Sequence, residues 1–88
     1  MCRNIRTLFN FEPPATPDEV HDAALQFVRK IAGSARPSRA NEVAFERAVS
    51  EVSEACERLL KTLVTTAQPR DRVVEQVRRR ERSRRRFA

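Results

Sequence analysis

The sequence predicts an all-α protein, a small helical bundle built on an antiparallel helix pair, with an N-terminal arm and a short basic C-terminal helix or tail. Three observations carry that expectation. The 88 residues hold one Gly, a capped apolar stripe runs from Val20 to Ile31, and a longer stripe runs from Phe45 to Val64 with neither Gly nor Pro inside it. So little Gly argues against a turn-rich β fold, and both stripes have helical spacing. A chain of this length makes one domain, which excludes two-domain enzymes and most cofactor-binding α/β folds. At 40% hydrophobic it is too apolar for full disorder. With neither Tyr nor Trp, its core has to come from Leu, Val, Ile, Ala and a few Phe rings.

The first element is the arm. Ile5, Leu8 and Phe9 have i, i+3, i+4 spacing, which suits either one helical turn or an extended segment laid over a groove, and Pro13-Pro14 stops any helix from running on. Thr16-Pro17-Asp18-Glu19 then starts a helix: Thr16 is the N-cap, Pro17 takes the first helical position, and Glu19 completes a capping box. Val20, Ala23, Ala24, Phe27, Val28 and Ile31 form its apolar stripe, and Gly33 is its left-handed cap.

After a short connection through Pro37, Ser38 or Asn41 can cap a second helix from about Arg39 to Thr65. Its stripe includes Phe45, Val49, Val52, Cys56, Leu59, Leu60 and Leu63, with Glu54–Arg58 and Glu57–Lys61 as i,i+4 pairs on the outer side. Phe27, Leu59 and Cys56 are expected in the core. At ~1.5 Å per residue this helix is about 15 Å longer than the first, so a further element has to cover it. The arm, the valines Val73, Val74 and Val77, or a second copy in a homodimer would serve. A third short helix is expected to begin near Asp71.

The formal charge of +6 is confined to one end: residues 1–69 have as many acids as bases, while nine Arg follow from Arg70 on against Asp71, Glu75 and Glu81. This divides the chain into a helical domain with its arm, 1–69, and an Arg-rich helix or tail, 70–88. Arg78, Arg79, Arg80, Arg82, Arg84, Arg85 and Arg86 point around the whole circumference of a helix, and their repulsion favours an unfolded tail. Guanidinium pairs with phosphate and releases counterions from nucleic acid, so these seven residues are the candidate contact with RNA or DNA, without sequence preference. Only Phe87 is available for base stacking. The competing reading is a solvated tail that keeps the protein in solution.

Other chemistry is sparse. Cys2 near Arg3 and Arg6 would favour a thiolate, which makes Cys2 the candidate for a thiol-dependent enzyme or redox protein, the alternative to a binding or scaffolding role. A nucleophile also needs a positioned base, and the one histidine, His21, sits in the acidic first turns of the first helix, where a surface role suits it better. Two Cys and one His make no metal site, and no Gly-rich phosphate loop or nucleophile elbow is present, so neither a cofactor nor a small-molecule substrate is indicated. The absence of a signal-like opening and of any membrane-length apolar run predicts a cytoplasmic protein without a membrane partner.

The opening Met1-Cys2-Arg3-Asn4-Ile5, then Pro13-Pro14-Ala15-Thr16, Val28-Arg29-Lys30 with Gly33, and Pro37-Ser38 resemble a family of small bacterial proteins known only as a domain of unknown function. The resemblance covers about residues 1–69. It implies a cytoplasmic bacterial protein, brings no activity or partner with it, and raises Cys2, Arg3, Asn4 and Arg6 as a candidate N-terminal site. By the same resemblance the C-terminal stretch is variable, which makes the Arg run a poor candidate for a shared function.

Overall fold

The computed structural model describes residues 5–87, with side chains described through Arg85. The order is β1 (Phe11–Glu12), α1 (Pro17–Ala32), a single 3₁₀ turn (Arg39–Asn41), α2 (Glu42–Thr62), β2 (Arg70–Asp71) and α3 (Arg72–Phe87). The molecule is mostly helical, as the stripes predict, in a flat outline of 43 × 38 × 18 Å.

The start of α1 follows the sequence. The Glu19 N–H donates to Thr16 Oγ1 at 3.2 Å and the Thr16 N–H donates to Glu19 Oε1 at 3.0 Å, closing the capping box. Gly33 ends the helix at φ 72°, where a Cβ would be strained, and its N–H donates to the Arg29 carbonyl at 2.9 Å.

Helices α1 and α2 pack together through one row of small residues. Val20, Ala24 and Val28 of α1 and Val49 of α2 are buried, with Leu25, Phe45, Ala48 and Val52 packed around Ala24, Val28 and Val49. The end of α1 at Ile31 lies beside Phe45 and Ala48, and its start at Val20 lies beside Leu60 and Lys61.

Several expectations are corrected. Helix α2 runs over 42–62 rather than 39–65, because Arg39–Asn41 winds as a 3₁₀ turn and Leu63 is extended at ψ 138°. Phe27 and Leu59 are not core residues; they are 45% and 53% exposed. The helices meet along the i,i+4 ridge Val20–Ala24–Val28, so Phe27 on the neighbouring i+3 row falls at the margin. Cys56 is half-buried. The pairs Glu54–Arg58 and Glu57–Lys61 do not close among the described residues; an exposed Arg47–Glu51 contact at 3.9 Å is the i,i+4 pair of this helix.

The arm is not helical. It ends in β1, which pairs in parallel with β2 in the register Phe11↔Arg70 and Glu12↔Asp71, a two-strand element that the all-α expectation omits. Proline contributes: Glu12 precedes Pro13 and Gln68 precedes Pro69, positions at which proline disfavours helical backbone, so a helix is blocked at the end of β1 and just before β2. The C-terminal segment is a helix through Phe87 rather than an unfolded tail. Asp71 Oδ1 accepts from the Val74 N–H at 3.0 Å to cap it, and Glu75–Arg78 and Glu81–Arg84 contacts at 3.4 and 3.3 Å offset the arginine repulsion.

The buried ridge generates a test. Val49→Ala should cost about 2 kcal/mol, from two carbons of lost burial and the void left behind, whereas Ile31→Ala, at a 73% exposed position, should stay within about 0.5 kcal/mol. Urea midpoints at constant slope measure both; equal losses would mean that the helices pack through the Phe27–Ile31 row instead.

Candidate functional site

The features that set this molecule apart meet where the arm crosses the start of α3. Asn10 turns the arm with φ 65°, a conformation Asn tolerates better than most residues, and its Nδ2 donates to the Gln68 carbonyl at 3.1 Å. The Arg70 N–H donates to the Asn10 carbonyl at 2.7 Å, which continues the backbone pairing of β1 with β2.

Arg72 then reaches back across the junction. Its Nε donates to the Pro13 carbonyl at 2.7 Å, and its two terminal nitrogens donate to Glu19 Oε2 and Oε1 at 2.8 and 2.9 Å. This is a two-pronged guanidinium–carboxylate fork, in which geometry adds to charge. The same Glu19 closes the capping box of α1, so one carboxylate serves two ends of the chain. Hydrogen bonding from Arg72, helped by the Thr16 N–H, holds the Glu19 pKa at about 2 instead of the ordinary 4.5. Arg70 and Arg72 also lie over the Phe11 ring at 5.8 and 5.9 Å from its centre.

Two clefts flank the junction. One, about 460 Å³, is apolar and lies between the arm, the start of α1 and the end of α2, with Phe9, Phe11, Val20 and Leu60 on its walls and Glu57 and Lys61 at its edge. The other, about 200 Å³, lies between the arm and α3 and brings Arg6 and Thr7 together with Arg72, Gln76 and Arg79. Partial burial lowers the pKa of Arg79, and the like charges of Arg6 and Arg82 lower it further.

The candidate nucleic-acid residues Arg78, Arg79, Arg80, Arg82, Arg84, Arg85 and Arg86 all fall on α3. They do not share one environment. Arg79 is half-buried against the arm, whereas Arg78, Arg80, Arg82, Arg84 and Arg85 are exposed. Of the candidate N-terminal site, Arg6 lies in the small cleft, and Cys2, Arg3 and Asn4 lie outside the described residues. His21 is exposed on α1. Among the described residues, no three His, Cys, Asp or Glu side chains gather as a metal site, and no helix is long and apolar enough to cross a membrane.

Sequence reasoning missed the Glu19–Arg72 fork and the meeting of Arg6 with Arg79. The fork joins residues 53 apart, and no local spacing signals such a contact.

A family model described as an uncharacterized conserved protein, DUF2277, matches residues 1–79. The match runs ten residues beyond the segment in which the sequence resemblance is legible, taking in Arg70, Arg72, Arg78 and Arg79 and ending before Arg80, Arg82, Arg84, Arg85 and Arg86. No curated protein and no solved structure matches the chain.

The lowered pKa of Glu19 gives a pH signature. A carboxylate stabilised in the folded state contributes its full share above the unfolded value of 4.5 and loses it as pH falls toward about 2. The stability advantage of the wild type over Glu19→Gln should therefore be constant above pH 5 and shrink steadily down to pH 2 in urea unfolding. An advantage independent of pH would show that the fork contributes nothing through its charge.

Proposed function

Because the chain belongs to the DUF2277 family of uncharacterised conserved proteins, we propose a function from its own geometry: a small helical binding protein that contacts nucleic-acid backbones, without sequence preference, through the arginines of α3. One observation carries the reading. The last two turns of α3 extend past the cleft, with Arg80, Arg82, Arg84 and Arg85 exposed, and the nine residues 80–88 hold five Arg against the single acid Glu81. Among the described residues Arg84 is partly engaged by Glu81 at 3.3 Å, while Arg80, Arg82 and Arg85 make no ion pair.

A helix already formed loses less freedom on binding than an unfolded tail would, and guanidinium groups on all its sides meet phosphates without a fixed register. In this reading residues 1–69 are the body, with α1 and α2 as an antiparallel pair, and 70–88 are the ligand-facing element of a cytoplasmic bacterial protein. We further propose that the body is a homodimer in solution, because Leu59 near the C-terminal end of α2 and Leu63 and Val64 just beyond it stay exposed among the described residues.

If five or six arginines meet phosphates, the logarithm of affinity for a labelled duplex should fall with the logarithm of salt at a slope of roughly −4 to −5. Replacing Arg80, Arg82, Arg84 and Arg85 together by Gln should flatten the slope by about 3.6 units if all four meet phosphates. An unchanged slope, or no binding by the wild type in low salt, would leave the arginines as a solubilising extension. Light scattering at ~100 μM, well above a micromolar dimer constant, should give twice the chain mass for the wild type and the chain mass for Leu63→Asp; a monomeric wild type ends the dimer reading.

A further inference from the structure

We infer that the cleft between the arm and α3 is a binding site for a single phosphate group, gripped by Arg6 and Arg79. The site is separate from the exposed arginines of α3, since both residues precede Arg80. Its walls hold three arginines and two carboxylates, but most of that charge is spent. Arg72 and Glu19 satisfy each other in the fork at 2.8 and 2.9 Å, and Glu75, which accepts from Arg78 at 3.4 Å, also attracts Arg79 and offsets part of its charge. Arg6 and Arg79 are left facing one space of about 200 Å³, brought there from opposite ends of the chain.

Two guanidinium groups on one cleft repel each other, and partial burial of one of them removes some of the water that would screen the repulsion. The basicity of Arg79 is depressed chiefly by that burial; Arg6 and Arg82 add to the effect and Glu75 opposes it. A dianion between them reverses the balance, because each guanidinium then gains charge-assisted hydrogen bonds to oxygens whose geometry its fork matches. Thr7 and Gln76 on the same walls bring a hydroxyl and an amide as neutral donors, and Leu8 and Phe11 give an apolar surface for whatever the phosphate is attached to. The space exceeds what a bare phosphate needs. An ester of modest size therefore fits the cleft, and so does the phosphorylated end of a nucleic-acid strand; the two share the group that is recognised.

The full chain is titrated with inorganic phosphate, against sodium chloride at matched ionic strength, while backbone amide shifts are followed by NMR. Saturable shifts confined to residues 6–8 and 76–79, with a dissociation constant on the order of 1 mM, are expected in phosphate and not in chloride. Arg79→Gln and, separately, Arg6→Gln should weaken binding at least tenfold, and Arg79→Lys should keep part of it. Arg85→Gln should leave it unchanged. Far-UV spectra establish that each variant is folded, and Arg6→Gln, on the arm, supplies the test if α3 tolerates no change at Arg79.

Shifts that are unsaturable, equal in chloride, or weakened as much by Arg85→Gln as by Arg79→Gln would overturn the inference. Added arms with adenosine, adenosine monophosphate and a strand with or without a 5′ phosphate identify the source. Tighter binding of the mononucleotide than of phosphate points to small esters, and a gain only for the phosphorylated strand points to a nucleic-acid end. The variant lacking Arg80, Arg82, Arg84 and Arg85 separates this site from the proposed backbone contact, since it should lose duplex affinity and keep the phosphate titration.

Discussion

The fork between Glu19 and Arg72 is the constraint on which the rest of this structure depends. Helices α1 and α2 share a narrow ridge of Val and Ala, and so slight a core cannot by itself fix where a third helix lies. Direction comes from hydrogen bonds instead. Arg72 takes both Glu19 oxygens and the Pro13 carbonyl, so the first residue of α3 is held to the first turn of α1 and to the exit of the arm together. The fork is only partly exposed, about a third for each side chain, which places it between the weak surface pair and the costly buried one.

Once α3 is pinned there, its orientation is unusual for an amphipathic helix. The side turned toward the arm is polar, with Arg72, Glu75 and Arg79 half-buried, and the valines Val73, Val74 and Val77 face outward. The third helix therefore does not act as the apolar lid expected over a long second helix. Its inward side builds a charged cleft and not a core.

Much of the fold was legible in the sequence, and the limits of legibility follow from the range of each interaction. The Thr16–Glu19 box and the Gly33 cap close within a few residues, so their chemistry is readable where it stands. The apolar stripes gave the helices correctly but not the ridge that would be buried, because the angle at which two helices cross decides between Phe27 and Val28. The repulsion among Arg78 to Arg86 pointed to an unfolded tail; Glu75 and Glu81, each three residues before an arginine, tipped the balance to helix. For the site, the sequence supplied the arginines of α3 and Arg6 as separate candidates. It did not join Arg6 to Arg79, since β1 and β2 bring them together through only two paired residues on each side.

The engagement of α3 along its first half only, residues 72–79, has a kinetic consequence. Residues 80–87 project about 12 Å past the last residue of the cleft, slightly more than the Debye length of about 10 Å in 0.1 M salt. A polyanion approaching from outside thus meets the field of the tip before that of the electrically neutral body, and the acids of α1 and α2 do little to cancel it. On the proposed nucleic-acid reading, encounter is governed by a few charges at the end of a lever, whose reach enlarges the target that diffusion must find and whose orientation, set by the fork and the strand pairing at its base, decides from which side an encounter begins.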